Sequence, residues 1–374
     1  MKLNYYRELD GVRAIAALMV MVFHFFGLSY VHNAYPTIAK FSVFGQTGVS
    51  LFFVLSGFLI TRILLSTKNS PNYFYNFYIR RALRIFPLYY LVLIIYYFVL
   101  PLIFQSPSVP FNQQVYHWLY LQNFAKTFEW SYQGPGHFWS LAVEEHFYMF
   151  WPFTIFFLNN KKIIASCIAI VVFAILCRVI LVSNNYEVFY FTFCRMDELA
   201  IGALLAFFEL RNKLVAKNAN KFLLLGIAIL IPTITVWTFF TGSHNPILQV
   251  IKYLLLSFTY FSIVGYVVSV RESHPVKKLL GLKPLIFSGK ISYGLYVFHP
   301  LVYVNVSKFI KTSNIAFDFV IMFTLTYLVA SASFYFFEER FLKLKRFFKY
   351  PGEMKGFAVQ TLHNPPSYIE AGKD

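Results

Sequence analysis

The chain has 374 residues, is 58% hydrophobic and only 13% charged, and carries a formal net charge of +17. A soluble domain carries roughly a quarter charged residues, so there is too little polar surface here to cover a water-soluble particle, and a membrane protein is favoured. The basic excess does not point to nucleic acid, because Lys and Arg are spread between apolar runs and form no single basic domain.

Ten segments are apolar over about the 20 residues that a bilayer crossing needs. They fall at 12–31, 48–66, 82–104, 138–158, 162–182, 195–210, 222–241, 248–270, 287–307 and 316–338. The pattern predicts an all-α, polytopic transmembrane bundle over residues 1–345. A cytoplasmic tail, 346–374, ends polar with Pro365-Pro366 and is expected to be disordered. Cys167, Cys177 and Cys194 show no metal-ligand spacing and read as small buried hydrophobes, so no metal is expected.

The first segment begins like a signal sequence. No small-x-small cleavage site follows and His24 interrupts the run, so a retained helix is expected. Arg13 and His24 are eleven residues apart, about three turns at 3.6 residues per turn, which puts them on nearly one face. The helical rise separates them by about 16 Å, with Arg13 at the cytoplasmic edge and His24 near mid-membrane. Asp10 lies one turn before Arg13, within pairing reach. Arg13 alone would read as a snorkelling interface arginine. His24 is harder to dismiss, because ionisable groups at that depth are costly and usually face a functional cavity.

Gly45, Gly48 and Gly57, around the second segment, suit close helix packing. Arg80, Arg81 and Arg84 open the third, before Ile85-Phe86-Pro87. Arg81 and Arg84 are i, i+3 neighbours, and two guanidiniums at a membrane surface suit a phosphate-bearing ligand as well as ordinary lipid anchoring. Residues 105–137 hold Pro107, Pro110 and Gly134-Pro135-Gly136, and are expected to be a non-helical loop.

The fourth segment starts with Gly136-His137-Phe138-Trp139-Ser140-Leu141-Ala142-Val143-Glu144-Glu145-His146. Two adjacent carboxylates about two turns into a helix are hard to explain as packing, and the rise carries them about 10 Å inward, to a depth where His24 could meet one of them. Adjacent residues are offset by about 100°, so only one can face a given partner. Later polar residues are Arg195 and Asp197 in the sixth segment, read as an ion pair, His299 in the ninth and Glu338 in the tenth.

With the N-terminus in the cytoplasm, the inner loops hold Arg62, Lys68, Arg80, Arg81, Lys161, Lys162, Arg211, Lys213, Lys217, Arg271, Lys277, Lys278 and Arg340 among others. The outer ones hold only Lys40, Lys126, Arg195, Lys308 and Lys311. This obeys the positive-inside rule at every loop pair but the one near Lys308. Ten spans with both termini cytoplasmic is self-consistent.

These residues resemble the motifs of the acyltransferase 3 family of membrane proteins. The carriers are Arg7-Glu8-Leu9-Asp10-Gly11-Val12-Arg13 with His24, Gly48-Val49-Ser50-Leu51-Phe52-Phe53, Arg81-Ala82-Leu83-Arg84, Trp139-Ser140-Leu141-Ala142-Val143-Glu144-Glu145, Arg195-Met196-Asp197, and Ser292-Tyr293-Gly294 before His299-Pro300. They occur in order over about residues 5–345. The resemblance implies acyl transfer from cytoplasmic acyl-CoA, with acetyl the best guess, to a hydroxyl of an extracytoplasmic carbohydrate of the cell envelope. It implies a multi-pass protein of the bacterial cytoplasmic membrane, with membrane lipid and a glycan acceptor as its partners. It makes His24, Glu144 and Glu145 the catalytic candidates, and Arg13, Arg81 and Arg84 the acyl-CoA-binding ones. Asp10, Trp139, Ser140, Arg195, Asp197 and His299 stand around these as substrate-binding or supporting residues. His146 replaces a usual glutamine, a change expected to touch acceptor contacts, and Arg340 replaces a usual proline near the end of the last helix. No hydrolase-like domain follows, so the variant without one is expected.

Acyl transfer from a thioester needs a base, oxyanion stabilisation and a held donor. His24 is assigned as base, with Glu144 or Glu145 orienting the imidazole or the acceptor hydroxyl. The span from Arg13 to His24 is the distance a pantetheine arm must cover. Transfer through an acyl-His24 is equally open. The competing class is a transporter or flippase for a sugar or anionic substrate, which would also place such residues mid-membrane. No inverted repeat is visible between the halves.

Overall fold

A computed structural model describes residues 5–239, 245–310, 312 and 314–349. Among them every regular element is helical. Helices lie over all ten expected segments: α1 (Glu8–Phe26), α2 (Gly48–Thr67), α3 (Tyr73–Ile94), α4 (Trp139–Phe157), α5 (Asn160–Ser183), α6 (Met196–Leu210), α7 (Ala216–Phe239), α8 (Pro246–Ser269), α9 (Ser292–Val306) and α10 (Ile315–Ser333). Seven of the ten, all but α4, α6 and α9, belong to stretches long and apolar enough to cross a membrane. The three exceptions are short or polar because they carry the interior. Eleven residues of α6 are buried, Asp197 and Glu198 among them.

Three expectations are corrected. The first span, expected to reach residue 31, ends at Phe26, where Gly27 caps it. The ninth begins at Ser292 and not near 287, because Lys283–Lys290 forms a separate short helix. Residues 105–137 are not simply a loop, since Phe111–Trp118 and Gln122–Thr127 are helical. Their prolines and glycines flank these helices, where a missing N–H costs nothing. The tail from 350 onward lies outside the described residues. Just before it, Arg80 donates to the carbonyl of Phe348, and Asn76 to that of Lys349.

Two apolar cores share α2. One runs through α3, α4 and α9, with Phe53, Tyr89, Phe147, Trp151 and Leu295. The other joins α1, α2, α6 and α8, with Val12, Val54, Phe58, Leu205 and Val264. The glycines set how closely the helices approach. A Cβ on Gly57 would lie 1.9 Å from the carbonyl oxygen of Leu199, and one on Gly202 would lie 2.0 Å from that of Val54. The pair makes α2 and α6 meet backbone to backbone, as small residues do in membrane bundles. Gly45 and Gly48 bring the start of α2 equally close to α1, as the sequence suggested.

Where α2 and α6 end, Arg62 pairs with Glu209, whose carboxylate also accepts from Tyr6. Lys277 pairs with Glu8 at 2.9 Å and Glu272 at 2.7 Å. These pairs tie the start of α1 to α2, α6 and the segment after α8. Gly57→Ala should cost about 1–3 kcal/mol and lower the melting midpoint in detergent. Gly136→Ala, where a Cβ meets nothing within 4 Å, should leave it unchanged.

Candidate active site

Arg13 and Asp10 form an ion pair on the first turns of α1, as their spacing suggested. Tyr5 also donates to that carboxylate. Arg84 of α3 has Arg13, Arg81 and the carboxylate of Asp10 among its charged neighbours, so three guanidiniums converge from two helices. Neither Arg81 nor Arg84 closes an ion pair with a carboxylate among the described residues. Arg81 instead lies over the rings of Tyr148 and Phe77, at 5.4 Å and 6.0 Å. The guanidiniums are thus one half of a mixed-charge cluster, to which Asp10 contributes a first carboxylate.

Glu144 and Glu145 approach this cluster from α4. Glu144 faces Ser56, Tyr148, Arg81 and Arg84, and the hydroxyls of Ser56 and Tyr148 bond each other. Glu145 faces Arg81, and its Oε1 has no hydrogen-bond partner among the described residues. Glu338 also lies near Arg84, accepting from Ser333 at 3.0 Å.

His24 does not meet the glutamates. Its Nδ1 lies 2.9 Å from the carbonyl of Val20 and 3.2 Å from Nε2 of His299. The expected orientation of the imidazole by Glu144 or Glu145 is therefore corrected: the second histidine takes that place. The reason is directional. One helix turn separates His24 from Val20, so its ring folds back along α1 and meets α9 there. A carbonyl can only accept, so Nδ1 of His24 carries the hydrogen. Nδ1 of His299 is likewise 3.0 Å from the carbonyl of Leu295, which leaves its Nε2 as acceptor for His24. In the neutral tautomer Nε2 of His24 then holds a lone pair and no hydrogen. His299 is fully buried, whereas His24 keeps part of its surface accessible.

His137 completes the group. Its Nε2 donates to the carbonyl of Val297 at 3.0 Å, and its ring lies 5.7 Å from that of His299. Tyr296 donates to the carbonyl of His137 at 2.6 Å and lies 2.5 Å from the hydroxyl of Ser140. Ser140 thus supports the histidines, and Tyr296, which also neighbours Glu144, joins them to the carboxylates. His137 stands in the same sequence stretch as Trp139 and Glu144, so it was legible there and was passed over.

Arg195 and Asp197 do not pair with each other. Residues two apart on a helix point to different sides, whereas three apart share one. Arg195 accordingly meets Glu198 at 2.8 Å, and Asp197 meets Arg178 of α5 at 2.8 Å. Arg195 further donates to Phe189 and Ser50 and lies over the rings of Tyr253 and Trp139, at 4.3 Å and 5.0 Å. Trp139 therefore supports this network and not the histidines. Arg178, missed from sequence, was signalled by its place deep in an apolar helix. His146 bonds Thr192 at 3.0 Å and packs on Phe124. The cysteines are free, with Cys167 and Cys194 buried as expected.

Removing one partner of a buried pair leaves a charge stranded at about 3–5 kcal/mol. Arg178→Met should therefore abolish recovery of monodisperse protein. Arg178→Met with Asp197→Leu should restore it, read by size-exclusion profile and melting curve.

A family model described as an acyltransferase domain matches residues 6–336. The peptidoglycan O-acetyltransferase OatA of Listeria monocytogenes is 28% identical over 364 residues, 90% of this chain and 55% of that protein. The O-acetyltransferase OatA of Staphylococcus aureus is 28% identical, covering 96% of this chain and 61% of its own length. The putative peptidoglycan O-acetyltransferase YrhL of Bacillus subtilis is 29% identical, over 90% and 55%. The chain thus spans a little over half the length of these curated relatives. No solved structure matches it.

Proposed function

The chain belongs to the acyltransferase 3 family, and from that premise we propose that it moves an acyl group, acetyl, from cytoplasmic acyl-CoA to a hydroxyl of an extracytoplasmic carbohydrate. Peptidoglycan is the acceptor named for its relatives, and it is the acceptor proposed here. In this reading the protein crosses the bacterial cytoplasmic membrane ten times with both ends inside. The distribution of Lys and Arg supports that arrangement.

The observation that carries the proposal is the pinned tautomer of His24. Its Nδ1–H is held by Val20 and His299, so Nε2 is the lone pair available to a substrate. The acceptor O–H gives its proton to Nε2 as the oxygen attacks the thioester carbonyl. The O–acyl bond forms, the C–S bond breaks, and the departing CoA thiolate takes the proton from His24. His299 fills the orienting role that a carboxylate fills in a hydrolase triad. Arg13, Arg81 and Arg84 hold the phosphates of CoA, with two of the three guanidiniums lacking a carboxylate partner of their own. Glu144, facing Arg81 and Arg84, sets the charge balance of that cluster. A transporter would also need mid-membrane charge, but family membership favours chemistry over transport.

His24→Ala should lower glycan-dependent release of free CoA thiol from acetyl-CoA by at least about 10²-fold, while the protein still accumulates in the membrane. Native turnover in that variant would defeat the assignment. Arg84→Met should raise KM for acetyl-CoA by about tenfold or more and leave KM for the glycan unchanged.

A further inference from the structure

Tyr120 lies in the connection between Phe111–Trp118 and Gln122–Thr127. Its backbone is left-handed, with φ 59°. A bulky residue there costs roughly 1–2 kcal/mol, and such strain persists only where the surroundings dictate it. Here they do. The ring stacks on Tyr89 with centroids 4.2 Å apart and planes 14° from parallel. Tyr89 is itself fixed by donating to the carbonyl of His117 at 2.7 Å.

This strained, stacked residue leaves its polar end unused. Tyr120 is 7% exposed, and its hydroxyl has no hydrogen-bond partner among the described residues. A buried hydroxyl without a partner costs about 1–3 kcal/mol. Glu145 faces it, and Oε1 of Glu145 is orphaned in the same way. The hydroxyl and the carboxylate are electrostatic neighbours that do not bond each other. A group that fits between them both accepts, from the tyrosine O–H, and donates, to the carboxylate.

The position of the pair selects that group. Glu145 neighbours Arg81, and Tyr293, which neighbours Tyr120 and Glu145, also neighbours Arg84. The imidazole of His24 neighbours Val20, His299, Phe23 and His137, and forms no ion pair among the described residues. The orphaned pair therefore sits on the guanidinium side of the interior, short of the histidines. A pantetheine arm with its phosphates on the guanidiniums and its thioester at His24 passes this point, and it carries secondary amides. Resting on the acyl-CoA donor proposed above, we infer that Tyr120 and Glu145 hold one such amide. Its C=O accepts from the tyrosine hydroxyl, and its N–H donates to the carboxylate.

Tyr120→Phe keeps the stacking and removes only the hydroxyl. The purified full chain in detergent should bind CoA about tenfold more weakly in this variant. Binding of adenosine 3′,5′-bisphosphate, which lacks the arm, should be unchanged. KM for acetyl-CoA should rise and KM for the glycan should not. The melting midpoint should rise, because the substitution removes a buried hydroxyl that bonds nothing among the described residues. Equal weakening of both nucleotides, a rise in KM for the glycan alone, native CoA affinity, no CoA binding by the native chain, or a lowered melting midpoint would each overturn the inference. CoA binding that depends on Tyr120 without any transfer to glycan would sustain it and defeat the proposed function instead.

Discussion

A guanidinium inside an apolar bundle is costly unless its donors and its charge are met. Arg178 and Arg195 meet that demand from the protein itself. Each has a carboxylate at 2.8 Å, and each donates to a backbone carbonyl as well. Arg81 and Arg84 do not; they stand beside Arg13, with Asp10, Glu144, Glu145 and Glu338 nearby, and close no ion pair among the described residues. The same requirement thus divides the interior. One half is an ion-paired network that joins α5, α6 and α8, although Nε of Arg178, Oδ1 of Asp197 and Oε2 of Glu198 have no hydrogen-bond partner among the described residues. The other is a polar cluster in which Arg81 and Arg84 close no ion pair.

The histidines form a second polar group, joined to the carboxylates through Tyr296. Their geometry depends on backbone carbonyls more than on other side chains. Val20, Leu295 and Val297 each accept from one imidazole, and each such bond fixes which nitrogen carries a hydrogen. A neutral His24 presented this way is ready to accept a proton without an adjacent carboxylate. The carboxylates are then free to serve the donor end. Tyr296 and Ser140 bridge the two groups.

Much of this was legible beforehand. Hydropathy found the segments over which helices lie, seven of them long and apolar enough to cross a membrane, because a crossing helix must satisfy its own backbone and is apolar over its length. The boundaries slipped where glycine and proline acted locally, at Gly27 and around Lys283–Lys290. Ionisable residues in apolar runs marked Asp10, Arg13, His24, Arg81, Arg84, Glu144, Glu145 and His299, since only function or pairing justifies their cost. Arg178 obeyed the same rule and was overlooked.

The sequence by itself determined the membrane class, the helix positions, the motif set and the residues able to do chemistry. These follow from periodicity and desolvation, which act along one helix at a time. Only the tertiary structure decided the partnerships. It gave Asp197 to Arg178 and Glu198 to Arg195, put His299 and not a glutamate beside His24, and brought Tyr120 to Glu145. Those choices depend on how closely helices approach and which faces they turn to each other. That closeness is set by contacts such as Gly57 on Leu199 and Gly202 on Val54, between residues far apart in the chain.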